Sequence, residues 1–332
     1  MTRRLLCGAL VVVGAVSMSA QPATRQLHVC HAGSLQAAFA EVGKAFTAQH
    51  ASVTIDDVSG GSVTLARRLA TGALACDVYA SADYMDIDLM LKPAGIADYT
   101  VIFARGRMVL AYLATDPNTQ GIAAAGGFAP PSSVPDAATT WYQKLLASGV
   151  RVAGAHPFLD PGGYRAHMIF DLAERYYGAS GLYNALLEHY TVTPGGGTLG
   201  KDFSFQFTYE HSAAAAAQRN PAYRYVHLPD RVDLSVTANN SVYAQARVTM
   251  PGVGLPAAAA AVTIPASQAA WGVTIPGKSA NVADAIAFVE LLLGPVGTAA
   301  LHANGPTPIT PAIVSRGDSR HVPKAIKGLA IE

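Results

Sequence analysis

Two short motifs carry the residue types that could hold an anion: His31-Ala32-Gly33-Ser34-Leu35 and Ser59-Gly60-Gly61-Ser62. Each follows an apolar, strand-like run and opens a helical pattern. Free backbone N–H groups at a helix start, with a serine hydroxyl beside them, make an anion site. Two such starts facing one another would hold a small tetrahedral oxyanion through neutral donors, so the ligand could later be released. For either serine alone, plain helix capping is the simpler reading. For both at one sheet edge, binding is favoured. Two carboxylates, Asp160 and Glu210, each end a strand-like run further along the chain. A carboxylate beside an oxyanion is repelled by about 1 kcal/mol at 4 Å even in water. It helps only if protonated, if it takes a ligand proton, or if it bonds the central atom.

The elements that must position these residues follow from periodicity. Leu27–Cys30, Ser52–Val58 and Asp77–Ala80 read as strands, separated by helices beginning at Ser34 and Ser62 and followed by one over Ala82–Leu91. This βαβαβα order predicts a sheet with helices on its faces, with Ser34, Ser62 and Ser81 at the carboxyl edge where ligands bind. A second set of strands and helices between 108 and 244 predicts a second lobe. The expected architecture is α/β with two lobes, each a mainly parallel sheet flanked by helices. Residues 26–107 plus 245–332 are expected to form lobe I and residues 108–244 lobe II.

The bulk numbers agree. The chain has 332 residues, 51% hydrophobic and 14% charged, with a net charge of +1. That supports two packed lobes and offers no basic field for nucleic acid. Residues 1–20 carry Arg3 and Arg4, an apolar run from Leu5 to Val16 and a small-residue end, the pattern of an export signal. Of the cysteines, Cys7 leaves with that signal. Cys30 and Cys76 are read as two buried free thiols, with a disulfide as the alternative. No HExxH or Cys/His cluster suggests a resident metal. Gly272 to Ser279 matches the phosphate-binding pattern G-x-x-x-x-G-K-[ST], but Val273-Thr274-Ile275 reads as strand and Pro276 removes a donor, so the match is coincidental.

The order HAGSL (31–35), GGS (60–62), DVYASADY (77–84), FARGRMVLAY (103–112), DPGGYR (160–165), YEHS (209–212) and WGVTIPGKSAN (271–281) resembles the exported molybdate/tungstate-binding proteins of the archaeal type. The resemblance implies a type II periplasmic binding fold, two α/β lobes with a hinge and a cleft between them. It also implies delivery of molybdate or tungstate to an ABC importer's permease, a periplasmic or extracellular location and no catalysis. The protein would act as a monomer and use no cofactor beyond the ligand. Carried over by motif, Ser34 and Ser62 would bind oxyanion oxygens and Tyr164 and Tyr209 would line the cleft. Asp160 and Glu210 would bond the high-valent metal and complete a six-coordinate centre. This chain departs from the pattern with Gly162 where a Cys is common, His211 where an aromatic residue is usual, and a longer segment over 250–270. The alternatives are the same fold holding sulfate or phosphate, and an exported hydrolase with Ser34 or Ser62 as nucleophile and His31 as base.

Overall fold

The structure is a computed structural model and describes residues 24–125, 140–193, 197–252 and 261–332. The expected export signal over 1–20 lies outside the described residues, as does part of the segment 250–270.

Strand β1 (Arg25–Ala32) buries Leu27, Val29 and Cys30 without alternation, as a strand covered on both faces does. It pairs in parallel with β2 (Val53–Gly60) on one side and β3 (Val78–Ser81) on the other. Helix α1 (Gln36–Gln49) connects the first two strands. It buries Phe39, Val42 and Phe46 at helical spacing, each worth roughly 1.5–3 kcal/mol of transfer from water. Helix α2 (Ser62–Ala70) leads toward β3. The helix expected over 82–91 is a single turn, α3 (Tyr84–Asp86), continued by a wider π turn over Ile87–Leu91. Strand β4 (Val101–Arg105) then carries the chain to Gly106, where it leaves this sheet.

The second sheet begins at once with β5 (Met108–Leu113). It continues through α4 (Trp141–Leu145), β6 (Val152–Gly154), α5 (Pro161–Tyr177), α6 (Leu182–His189) and β7 (Tyr190–Val192). β8 (Phe205–Tyr209), α7 (Glu210–Arg219) and β9 (Tyr223–His227) complete it. Its strand order is β7-β6-β8-β5-β9. The chain then passes α8 (Asn240–Tyr243) and a two-stranded ribbon of β10 (Arg247–Met250) and β11 (Val262–Pro265). It returns to the first sheet as β12 (Ala270–Thr274), α9 (Val282–Leu293), α10 (Pro295–Asn304), β13 (Thr307–Val314) and β14 (Ala330–Ile331). The first sheet has the order β14-β13-β4-β12-β3-β1-β2.

Both sheets are mixed, where mainly parallel ones were expected. In the first, the returning β12 lies antiparallel between β3 and β4, and β13 lies antiparallel to β4. In the second, β5 is antiparallel to both β8 and β9. The physical reason is connectivity: a chain that leaves and re-enters a sheet through a neighbouring lobe needs no right-handed crossover and comes back in the opposite sense.

The cysteines are also corrected. Cys30 and Cys76 form a disulfide with a Cα–Cα separation of 5.8 Å. Cys76 lies two residues before β3, the parallel neighbour of β1, and this adjacency brings the two sulfurs within bonding range.

Candidate functional site

The two serines are not the caps their spacing suggested. Ser34 is the middle residue of a tight 3-10 turn, Gly33–Leu35, with Ala32 in the cap position. Ser62 is the first residue of α2, with Gly61 as cap, and neither hydroxyl caps its helix. Instead the Ser34 hydroxyl accepts from the Trp271 indole N–H at 3.0 Å, and the Ser62 hydroxyl accepts from the Ala82 N–H at 3.0 Å. Asp160 is a true N-cap of α5: its Oδ1 accepts from the Gly162 N–H at 2.7 Å.

These residues meet where the two sheets' carboxyl edges face one another. A cavity of about 230 Å³ lies there, with Ser34 and Ala82 on the lobe I side. The lobe II side presents Asp160, Gly162, Gln206, Thr208, Tyr209 and Ser212. That is smaller than the about 300–1,000 Å³ of pockets for drug-sized ligands and suits a small ion. Three lining residues belong to the starts of helices or of the turn before one: Ser34 before α1, Gly162 in α5 and Ser212 in α7. Helix starts present N–H groups and the positive end of the helix dipole, although at α5 Pro161 has no N–H and the Gly162 N–H is already given to Asp160. Burial pushes the Asp160 carboxyl above its ordinary range, against the opposing pull of the Gly162 N–H and Arg165.

Of the residues expected in the site, Ser34, Asp160 and Tyr209 line the cavity. Ser62 and Tyr164 lie fully buried behind it. Glu210 is the first residue of α7, and its carboxylate is not among the lining groups. Its Oε1 meets His227 Nε2 at 2.6 Å and its Oε2 lies 3.5 Å from Arg107 Nε. The structure therefore brings one of the two expected metal-bonding acids to the cavity. The other sits in an ion pair one residue beyond Tyr209.

Around the cavity the lobes are in direct contact. The Tyr164 hydroxyl, from α5, lies 2.8 Å from Asp83 Oδ2 and 3.2 Å from Asp86 Oδ1 in lobe I. Arg165, fully buried, donates to the Ala82 carbonyl at 2.6 Å and the Tyr209 hydroxyl at 2.8 Å, and pairs with Asp83 at 3.2 Å. Burial, reinforced by the neighbouring Asp83 charge, pushes the Asp86 carboxyl well above the ordinary carboxylate range, against the pull of the Ser81 hydroxyl and Arg165. At the rim, the Thr64 N–H donates to the Leu159 carbonyl at 3.2 Å. A Cβ on Gly61 would stand 2.6 Å from that same carbonyl oxygen and 3.2 Å from Asp160 Oδ2. The glycine of Gly60-Gly61-Ser62 is thus required by how closely lobe II approaches.

With this geometry in place, the chain can be compared with known proteins. It matches the sequence profile of the bacterial extracellular solute-binding proteins over residues 27–306. The chain belongs to that family. A solute-binding protein of Methanoculleus marisnigri is 31% identical, with 92% of this chain and 86% of that one aligned. The molybdate/tungstate-binding protein WtpA of Thermococcus kodakarensis is 27% identical, over 97% of this chain and 93% of that one. Among solved structures, the sulfate-binding protein SubI of Mycobacterium tuberculosis superimposes with a TM-score of 0.59 at 16% identity, covering 86% of this chain and 87% of that one. The family fold is the two-lobed type II arrangement, and the chain is a solute-binding protein rather than an enzyme.

The hydrolase alternative fails on geometry as well. His31 Nδ1 faces the Ala32 carbonyl at 2.9 Å and its Nε2 faces Asp57 at 2.8 Å, so neither nitrogen is free to serve Ser34 or Ser62. The phosphate-loop match is likewise explained. Val273 and Thr274 end β12, and the Asp77 carboxylate accepts from the Ala280 and Asn281 N–H groups and the Ser279 hydroxyl. A side chain of the protein satisfies the donors a phosphate would need.

Sequence reasoning missed Gln206, Thr208 and Ser212 on the lobe II wall, and Asp83, Asp86, Arg165 and Trp271 around it. A signal existed for the wall residues. Alternation of Phe205 and Phe207 inward leaves Gln206 and Thr208 as the polar positions of β8. For Arg165 the signal was its place one turn after Asp160 on a helix whose neighbours are apolar, since such an arginine needs a carboxylate elsewhere.

Proposed function

We propose that this protein captures molybdate or tungstate in the cavity between its lobes and hands it to the permease of an ABC importer outside the cytoplasm. The observation that carries this reading is the convergence of three helix starts, the Ser34 hydroxyl and the Asp160 carboxylate on one ion-sized cavity split between the lobes. The likeness to the Thermococcus kodakarensis protein supports the choice of oxyanion.

In this reading the Ser34 hydroxyl and the donors at the starts of α1 and α7 hold the oxyanion's oxygens, while the α5 start contributes the positive end of its dipole. Ser62 acts from behind, by fixing the Ala82 segment. Tyr209 forms the wall, and Tyr164 ties lobe II to Asp83 when the cleft is shut. Asp160 stands where its carboxylate can bond molybdenum or tungsten directly, which removes the repulsion a spectator carboxylate would suffer. Glu210 joins as the second carboxylate by leaving His227 and Arg107 and turning past Tyr209. Sulfur in sulfate does not readily expand its coordination in this way, so two carboxylate ligands would also discriminate between oxyanions. Lobe I would comprise 26–107 and 245–332, lobe II 108–244, with the closed monomer presented to the permease.

A calorimetric competition series with molybdate, tungstate, sulfate and phosphate tests this. The expected result is one saturable site with about micromolar or tighter affinity for molybdate and tungstate, and at least hundredfold weaker binding of sulfate and phosphate. Equal affinity for sulfate would remove metal ligation from the account. No binding of any of the four would remove the account itself.

A further inference from the structure

Trp271 touches no cavity surface, yet every nearby feature fixes it in place. It lies fully buried on β12, at the point where the pairing register with β4 slips between Trp271 and Gly272. Such a bulge re-aims a side chain, and bulges gather beside functional sites. Gly106 makes room for the indole: a Cβ there would sit 3.0 Å from the ring. From lobe II, Tyr209 packs edge-on against the same ring at 4.8 Å and His211 at 5.5 Å, while the Arg165 guanidinium lies 5.8 Å above it. His211 Nε2 also lies 2.9 Å from the Ser34 carbonyl oxygen.

The indole N–H has one role, to donate, and its partner is the Ser34 hydroxyl at 3.0 Å. A hydroxyl oxygen that accepts this bond keeps its own proton for another acceptor. Among the described residues none takes that proton, and Ser34 faces the cavity. We infer that Trp271 is a positioning residue that holds the Ser34 hydroxyl as a hydrogen-bond donor to the bound oxyanion. Tyr209 and His211, from lobe II, pack against the indole, and His211 also reaches the Ser34 carbonyl oxygen, so the pair is braced from across the cleft. The inference rests on the oxyanion reading above and adds a residue to it.

The test is a double-mutant cycle read by calorimetry with molybdate. Trp271→Phe should weaken binding about tenfold in the wild-type background, the size of one lost hydrogen bond. In the Ser34→Ala background it should cost less than twofold. Equal losses in both backgrounds would mean Trp271 acts only through packing and would overturn the inference. A second variant guards against loss of fold: benzothienylalanine at position 271 keeps the bicyclic shape and replaces the N–H by sulfur. It should reproduce the tenfold loss with an unchanged melting temperature, and unchanged affinity would overturn the inference. If the wild-type protein binds none of the four oxyanions, the oxyanion reading itself fails, a result distinct from a failed cycle.

Discussion

The two walls of the cavity are built on opposite plans. In lobe I the polar groups behind Ser34 are already committed to partners: Ser62 to Ala82, His31 to Asp57, Asp77 to the start of α9, and Cys30 to Cys76. In lobe II the two acids are held by separable partners. Asp160 faces the cavity on one backbone N–H, and Glu210 waits in an ion pair with His227 and Arg107, its side chain 36% exposed. Under the proposed function the contrast divides the labour: lobe I would be a fixed surface of neutral donors, and lobe II would carry the groups that rearrange around the ligand. A network that is fully satisfied is rigid, whereas a half-exposed ion pair is worth about 1 kcal/mol or less and is easily traded for a stronger bond.

The largest effect expected from breaking this contrast is at Asp160. Asp160→Asn keeps a side-chain oxygen for the Gly162 N–H, so helix capping survives. Calorimetry should show molybdate affinity falling at least a hundredfold while the melting temperature stays within a few degrees. A loss under threefold would reduce Asp160 to a cap. Next comes the approach of the fixed wall itself. Gly61 has an ordinary backbone conformation, so Gly61→Ala introduces no torsional strain and acts through its contacts with the Leu159 carbonyl at 2.6 Å and Asp160 Oδ2 at 3.2 Å. It should prop the lobes apart, weakening molybdate binding about tenfold or more and raising the radius of gyration of the liganded protein in solution scattering. An unchanged radius and affinity would mean the lobes do not need this approach.

A smaller effect should run in the opposite direction. His227→Ala removes the nearer partner of Glu210 and lowers the cost of turning that carboxylate toward the ligand. Molybdate should then bind about threefold more tightly, and the gain should vanish in Glu210→Gln. Weaker binding in His227→Ala would say the ion pair supports the site rather than competing with it. The smallest effect belongs to the foundations of lobe I. The hydrogen bond from His31 holds the Asp57 carboxyl below its ordinary range. A depressed carboxyl contributes stability above its unfolded value of about 4, and that contribution is lost as pH falls through the lower folded value. Asp57→Asn should therefore flatten the drop in melting temperature below about pH 4. The amplitude should stay under about 1 kcal/mol, because Asp57 is more than a third exposed, and molybdate affinity at pH 7 should not change.

Much of this arrangement could be read from residue order, and the misses have physical causes. Apolar periodicity in Leu27–Cys30 and in Leu35, Phe39, Val42 and Phe46 gave β1 and α1, because burial enforces that pattern locally. Residues 160–163 read as a turn before a helix from Tyr164, whereas α5 already begins at Pro161 behind the Asp160 cap. The antiparallel insertion of β12 was hidden, since nothing in Ala270–Thr274 records which strands flank it. The serine hydroxyls were misassigned as caps because their true partners, Trp271 and Ala82, lie 237 and 20 residues away. Glu210 was placed by motif with Asp160, but an i-to-distant ion pair with His227 and Arg107 leaves no local trace. The Cys30–Cys76 bond depended on which strands adjoin β1, again a tertiary fact. Long-range polar contacts are the part of a site that periodicity cannot encode.

The central claim is that one oxyanion is gripped between these unlike walls, and an anomalous difference map at the molybdenum edge from crystals grown with molybdate tests it most directly. The account predicts a single strong peak in the cavity, within bonding distance of Asp160 and within hydrogen-bond reach of an oxygen held by Ser34. A peak elsewhere, or none, would contradict it.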